Sequence, residues 1–191
     1  GTRTRWLLAG AGAAAVFVVV YISFMGYAGD RVTAWLHPEL DPGDTGYQIL
    51  QWLYAIGSGG LFGLGYGKSR QKYLYLPFQY NDYIFAVICE ELGLVGAMAI
   101  VALFAVTILR GYWIALNARD RFSTVLVAGL VTLIAVQTIL NLCVVTNLLP
   151  STGIALPFFS YGGTALAVNL VEMGIVLGVS RGRNRRKIQE A

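Results

Sequence analysis

The chain has 191 residues, of which 57% are hydrophobic and only 13% charged, and its formal net charge is +4. This composition excludes an ordinary soluble domain, in which about a quarter of the residues carry charge. Crossing a hydrocarbon core takes about 20 residues of apolar helix, and apolar blocks of that length recur along the chain. We therefore predict an all-α, polytopic integral membrane protein that forms a single membrane domain over residues 1–191.

The first predicted span covers residues 6–28, and its apolar core is too long for a signal peptide. Three more spans are predicted at 83–109, 122–148 and 161–180. Four spans place ten of the 14 lysines and arginines on one side of the membrane, as the positive-inside rule requires. We therefore expect both termini to be cytoplasmic and the loops 29–82 and 149–160 to be extracytoplasmic.

The segment from Tyr47 to Gly67 is apolar, but Gln48, Gln51 and a cluster of glycines interrupt it. Glycine-rich backbone makes a poor continuous helix, and lipid cannot satisfy its exposed peptide groups. We therefore interpret Tyr47–Ile56 as an amphipathic or re-entrant helix that is followed by a glycine hinge. The loop 29–82 is also long, which is typical of functional loops.

Three cations, Lys68, Arg70 and Lys72, lie on the predicted outer side, against the prevailing charge asymmetry. Such cations can clamp a phosphate or pyrophosphate group. The alternative is that they bind lipid headgroups. Tyrosines and tryptophans of the same loop are typical of an interfacial belt.

Asp82 directly precedes the second predicted span, and Glu90 and Glu91 lie inside it. Asp82 could cap the helix and also act as a base, because the two roles are compatible. Glu90 lies about 12 Å further along a helix, too far for a close carboxylate pair with Asp82. Carboxylates within a membrane are costly and should face the bundle interior, so both structural pairing and contact with substrate remain open for Glu90 and Glu91.

The second predicted outer loop contains prolines and glycines that break helical structure at membrane depth. Irregular backbone is tolerated there only against protein or a watery cavity, so we expect this loop to form a cavity wall that faces the first loop. Its uncharged hydroxyls are candidates for binding substrate, namely Ser160, Tyr161 and Thr164. A single histidine and two isolated cysteines predict no metal site.

Three motifs carry a family resemblance: YQILQWLYAIGSGGLFGLGYGKSRQKYLYLP, NDYIFAVICEELG and LPSTGIALPFFSYGGT. They resemble the C-terminal half of SEDS proteins (shape, elongation, division and sporulation), the FtsW/RodA/SpoVE family, and are most similar to FtsW and SpoVE of clostridia-like bacteria. The resemblance extends over essentially the whole chain. It implies a glycan-strand polymerase in the bacterial cytoplasmic membrane that uses lipid II at the outer face. It also implies partners: a class b penicillin-binding protein, divisome or elongasome proteins and membrane lipids, with no nucleic acid.

The family's essential aspartate maps onto Asp82. In the implied mechanism Asp82 deprotonates the 4-hydroxyl of the acceptor's GlcNAc, which attacks the anomeric carbon of the donor with inversion. Undecaprenyl pyrophosphate leaves, and Lys68, Arg70 and Lys72 would stabilise its charge. A divalent cation could assist, although no ligand cluster indicates one, and no other cofactor is implied.

One position departs from the family pattern: Phe78 occupies the place of the glutamate that usually follows Leu-Pro in this loop. Two rival functions remain open from the sequence. A flippase or transporter for the lipid-linked precursor would need a polar path through the spans, for which few residues are candidates. A non-catalytic scaffold that docks division proteins would need no base at Asp82.

Overall fold

The computed structural model describes residues 4–5, 9, 12–13, 16, 32–40, 45–69 and 82–189, without the side chains of Thr45 and 183–189. The chain divides into two compact units, Gly1–Leu50 and Gln51–Ala191. Most of the predicted span 6–28 lies outside the described residues. Arg70, Lys72 and Phe78 also lie outside them.

In the first unit, residues 32–36 are helical and lead into a 3-10 turn at Pro38–Leu40. The turn is closed by the Leu40 N–H, which donates to the His37 carbonyl oxygen at 3.1 Å. Helix α1, Thr45–Ser58, begins in this unit and ends in the second. Its buried residues Ile49, Trp52 and Ala55 recur every third position and form one face, which is the pattern of an amphipathic helix.

Three long helices make up most of the second unit: α2 at Ile84–Leu116, α3 at Arg121–Val145 and α4 at Gly163–Gln189. Within the described residues, three helices are long and apolar enough to cross a membrane: α2, α3 and the Gly163–Gly182 part of α4. The described part of the chain contains no strand, so the all-helical prediction is confirmed. Helix α2 continues past Arg110, whose guanidinium lies 4.7 Å from the centre of the Trp113 ring.

Helix α2 is interrupted at Gly93, which has a φ of 67°. In an unbroken helix the N–H groups of Leu94 and Val95 would donate to the carbonyl oxygens of Glu90 and Glu91. At the break, all four groups pair instead with residues 59–68, which we call the glycine segment. The bonds run from Leu94 N to Gly60 O (2.9 Å), Val95 N to Leu61 O (3.1 Å), Leu64 N to Glu90 O (2.9 Å) and Gly65 N to Glu91 O (3.0 Å).

Glycines are needed in this segment because its backbone lies in direct contact with the backbone of α2. A Cβ atom on Gly59 would collide with the carbonyl oxygen of Cys89, and one on Gly63 with that of Glu91. A Cβ on Gly93 would collide with the backbone of Gly63 in turn. The predicted hinge is therefore a segment docked into a broken helix, where its peptide groups are satisfied.

The opposite end of the three-helix unit is regular and apolar. A buried cluster joins the end of α2, the first half of α3 and the middle of α4: Ala115, Val127, Val131 and Val176. Helix α3 is preceded by Asp120, whose carboxylate accepts hydrogen bonds from the Ser123 N–H at 2.9 Å and the Ser123 hydroxyl at 2.8 Å. This is an N-cap of the ordinary kind.

Candidate active site

Asp82 lies just before α2, but it does not cap that helix. The N-cap residue is Tyr83, and among the described residues no side-chain hydrogen bond caps the helix. The interpretation of Asp82 as a helix cap is therefore wrong. Its carboxylate makes no hydrogen bond or ion pair within the described part of the chain, which leaves it available for chemistry.

The Asp82 side chain is partly buried. Burial disfavours the charged form and raises the pKa of this carboxyl above its ordinary value of 3.8. A raised pKa makes the carboxylate a stronger proton acceptor at neutral pH, which suits a general base.

The loop between α3 and α4, residues 146–162, lies over Asp82. It approaches the carboxylate at Gly153, where a Cβ atom would stand 3.5 Å from Asp82 Oδ2. Three residues of this loop have left-handed backbone, with φ values of 58° at Asn147, 69° at Gly153 and 65° at Phe158. Such conformations cost energy in residues other than glycine and cluster at functional sites.

Two amide side chains of α3 hold this loop. The Asn141 Nδ2 group donates to the Asp82 carbonyl oxygen at 2.8 Å and to the Ile154 carbonyl oxygen at 2.7 Å. One helical turn earlier, the Gln137 Nε2 group donates to the Ala155 carbonyl oxygen at 3.1 Å. The sequence alone does not single out either amide. The available signal was two amides four positions apart in a span without charge.

Aromatic contacts add a third support beside Asp82. The rings of Trp52 and Tyr83 stack with centroids 4.1 Å apart and planes inclined by 19°. The Tyr83 hydroxyl donates to Ser151 Oγ at 3.5 Å. The end of α1, the start of α2 and the loop 146–162 therefore meet around the residue that follows Asp82.

The other candidate acids lie at the break in α2. Glu90 is buried, and its Oε2 accepts a hydrogen bond from the Ser69 hydroxyl, which is buried as well. Glu91 is also buried, and its Oε1 has no hydrogen-bond partner in the described part of the chain. Lys68 is exposed, next to Ser69, at the end of the glycine segment. The pairing of Glu90 with Ser69 favours a structural role for that glutamate.

The three predicted substrate-binding hydroxyls differ in their surroundings. Ser160 is buried, and its Oγ accepts the Leu156 N–H at 2.7 Å, so it stabilises the fold of its own loop. Tyr161 and Thr164 are exposed. Within the described ranges no group of three or more His, Cys, Asp or Glu side chains is placed to hold a metal ion.

The sequence model of the cell cycle protein family FtsW/RodA/SpoVE matches residues 1–185. The chain belongs to this family. The resemblance carried by the three motifs is confirmed, and the FtsW/RodA/SpoVE chain is a multi-pass membrane protein.

Two relatives illustrate how similar this family member is to named proteins. Stage V sporulation protein E of Bacillus subtilis is 50% identical over 151 residues, covering 79% of this chain and 41% of that protein. A Trichlorobacter lovleyi protein named probable peptidoglycan glycosyltransferase FtsW is 42% identical over 182 residues, covering 95% of this chain and 48% of that protein. This FtsW/RodA/SpoVE chain therefore spans about half the length of these relatives.

The fold of this family member is also similar to solved structures. A peptidoglycan synthase complex that coordinates polymerization and crosslinking contains a chain that is 30% identical, with a TM-score of 0.73 over 94% of this chain and 49% of that one. A mutant of the rod shape determining protein RodA of Thermus thermophilus is 32% identical, with a TM-score of 0.54 over 69% of this chain.

Proposed function

We propose that this chain forms the catalytic half of a peptidoglycan glycosyltransferase that polymerises lipid II, with Asp82 as the general base. The observation that carries the proposal is the half-buried Asp82 carboxylate, which makes no hydrogen bond within the described part of the chain and faces Gly153 of the loop 146–162. The names of the relatives support the reaction class.

The reaction needs one base. Asp82 accepts the proton of the acceptor's 4-hydroxyl as that oxygen attacks the anomeric carbon of the donor sugar. The bond from that carbon to the pyrophosphate oxygen breaks, and undecaprenyl pyrophosphate leaves with the electron pair. Because the leaving group is already a stable anion, no carboxylic acid has to protonate it. Asp82 then returns its proton to solvent.

The leaving pyrophosphate is stabilised by cations. Lys68 is exposed at the end of the glycine segment and is available to a phosphate. Arg70 and Lys72 complete the proposed clamp, and both follow Lys68 within four residues. Tyr161 and Thr164 present exposed hydroxyls to the sugar, and a divalent cation could share the phosphate charge.

The proposed orientation places Asp82 at the outer face of the cytoplasmic membrane, with both termini of this chain in the cytoplasm. The positive-inside distribution of lysine and arginine supports this orientation. The proposed partner is a class b penicillin-binding protein that crosslinks the new strand. Similarity to a chain of a peptidoglycan synthase complex supports that partner.

The test is lipid II polymerisation by the complete protein, comparing native protein with Asp82→Asn. We expect Asp82→Asn to lose at least about 100-fold in rate, because general base catalysis contributes that much. Asp120→Asn is the matched control: Asp120 is exposed at the start of α3, and this variant should polymerise at the native rate. Glycan synthesis by Asp82→Asn at the native rate would overturn the assignment.

A further inference from the structure

We propose that Asn141 is a positioning residue, whose single amide group sets the gap between the Asp82 carboxylate and the loop 146–162. This inference rests on the proposed function, since the gap matters only if Asp82 is the base. The side chain of Asn141 is 1% exposed and projects from α3, a continuous helix of 25 residues. Sites held by regular elements are more precise than sites held by loops.

The hydrogen bonds of Asn141 join two segments that are far apart in sequence. Its Nδ2 donates at 2.8 Å to the carbonyl oxygen of Asp82 and at 2.7 Å to that of Ile154. An amide nitrogen carries two protons, so it can satisfy both acceptors at once. An oxygen at that position would face two carbonyl oxygens and repel both.

The two tethered residues are those that meet across the site. Ile154 follows Gly153, which faces the Asp82 carboxylate, and Asp82 itself is the other acceptor. Because Tyr83 is the N-cap of α2, Asp82 lies outside the helix, and the hydrogen-bond ladder of α2 does not fix it. The amide therefore fixes the backbone from which the base projects. A displacement of about 1 Å at a reacting group can cost about 100-fold in rate.

Gln137 provides a matched comparison on the same helix. Its amide also donates to a loop carbonyl oxygen, that of Ala155, at 3.1 Å. It ties the loop to α3 without contacting Asp82. If anchoring the loop were all that mattered, Gln137 and Asn141 would be equivalent. If the position of Asp82 matters, only Asn141 will affect the chemical step strongly.

The experiment measures kcat and KM for lipid II polymerisation by the complete protein in detergent. Asn141→Leu and Gln137→Met remove the amide donors with nearly isosteric apolar side chains that a membrane helix tolerates. We expect Asn141→Leu to lower kcat by about 10- to 100-fold with KM changed less than about threefold. We expect Gln137→Met to change both constants by less than about threefold. Asn141→Gln keeps the donor and should recover part of the lost kcat.

Rates are normalised to folded protein, as judged by a monodisperse elution peak and by thermal unfolding. Adding Asn141→Leu to Asp82→Asn should cost nothing further, because the residue to be positioned is already gone.

Three outcomes would overturn the inference: native kcat in Asn141→Leu, an equal loss in Gln137→Met, or a loss confined to KM. Each of these, with an inactive Asp82→Asn, would leave the proposed function standing. Native-like polymerisation by Asp82→Asn would remove the proposed function itself.

Discussion

The two ends of the α2–α3–α4 unit are built in different ways. At the Asp82 end, α2 is broken, the backbone is irregular and polar groups are buried: Ser69, Glu90, Glu91 and Asn141. At the other end, the helices are regular and the buried cluster consists of alanine and valine, Ala115, Val127, Val131 and Val176. In both places the packing depends on glycine. At the Asp82 end, glycine allows two backbone segments to lie in direct contact. At the apolar end, Gly111 leaves room for the side chain of a valine.

This difference separates two uses of small residues in a membrane. Between regular helices, a small residue shortens the distance between helices and strengthens packing, which is the main source of helix association in lipid. At the broken helix, small residues let a non-helical segment satisfy peptide groups that lipid would leave unpaired. Only the arrangement at the broken helix brings irregular backbone and buried polar groups next to a carboxylate. The packing between regular helices gives a stable scaffold without a reactive group.

The largest effect on stability is expected at the glycine segment. Gly63→Ala places a methyl group against the Glu91 carbonyl oxygen and forces alanine to a φ of 77°. We expect a loss of about 3 kcal/mol in the free energy of unfolding, because backbone strain and a clash that cannot relax add together. Unfolding in mixed micelles measures the change. Gly57→Ala is the control, since a Cβ atom there meets nothing within 4 Å. Equal stability of the two variants would contradict the docked arrangement.

A smaller effect is expected at the apolar end. Gly111→Ala directs its methyl group at the Val131 side chain rather than at backbone. We expect a loss of about 1 kcal/mol, at the lower end of overpacking effects. Gly129→Ala on α3 meets open space and should be neutral or slightly stabilising. If Gly111→Ala cost as much as Gly63→Ala, the distinction between the two ends would fail.

The smallest effects are expected from pH, and they should differ in sign between the two ends. Burial raises the pKa of Asp82. The contribution of this carboxyl to the free energy of unfolding is therefore fully present below its ordinary pKa of 3.8 and is lost as the pH rises through the folded-state pKa. Hydrogen bonds from Ser123 lower the pKa of Asp120, so its contribution is present above 3.8 and is lost as pH falls through the lowered value. Asp82→Asn should therefore raise the unfolding temperature at neutral pH.

Asp120→Asn should lower the unfolding temperature slightly at neutral pH, because asparagine retains the cap but loses the charge at the helix N-terminus. The difference from the native protein should disappear on acidification, when Asp120 is itself protonated. Both predictions are checked by measuring the unfolding temperatures of the two variants and the native protein from neutral pH down to the ordinary pKa of an aspartate. Shifts of the same sign in the two variants would contradict the assigned surroundings.

Much of the helical framework could be predicted from composition alone. The predicted span 83–109 begins one residue before α2, and the predicted span 122–148 overlaps most of α3. Apolar length suffices for such predictions because lipid leaves a chain few alternatives to helix. The glycine cluster predicted a helix that ends at Ile56, and α1 ends two residues later, at Ser58. Helix α2 continues beyond residue 109, where the predicted span ends, and the Arg110 guanidinium in this extension lies beside Trp113.

The details of the candidate site depended on contacts between distant residues. Asp82 was a candidate from the sequence, but its surroundings depend on Gly153 and Asn141, which follow it by more than fifty residues. Nothing local to Asn141 distinguishes it from Gln137, and only the fold gives it two carbonyl acceptors on different segments. The break at Gly93 was also hidden, because its sequence reads as continuous apolar helix.

By itself the sequence determined the membrane environment and the helical class. These follow from the free energy of transferring side chains and peptide groups into lipid, which depends on each segment alone. The tertiary structure decided how α2 is broken, which backbone groups exchange partners there, and which amide holds Asp82. Those features arise where two segments compete for the same hydrogen bonds, and only their approach in the folded chain settles which pairs form.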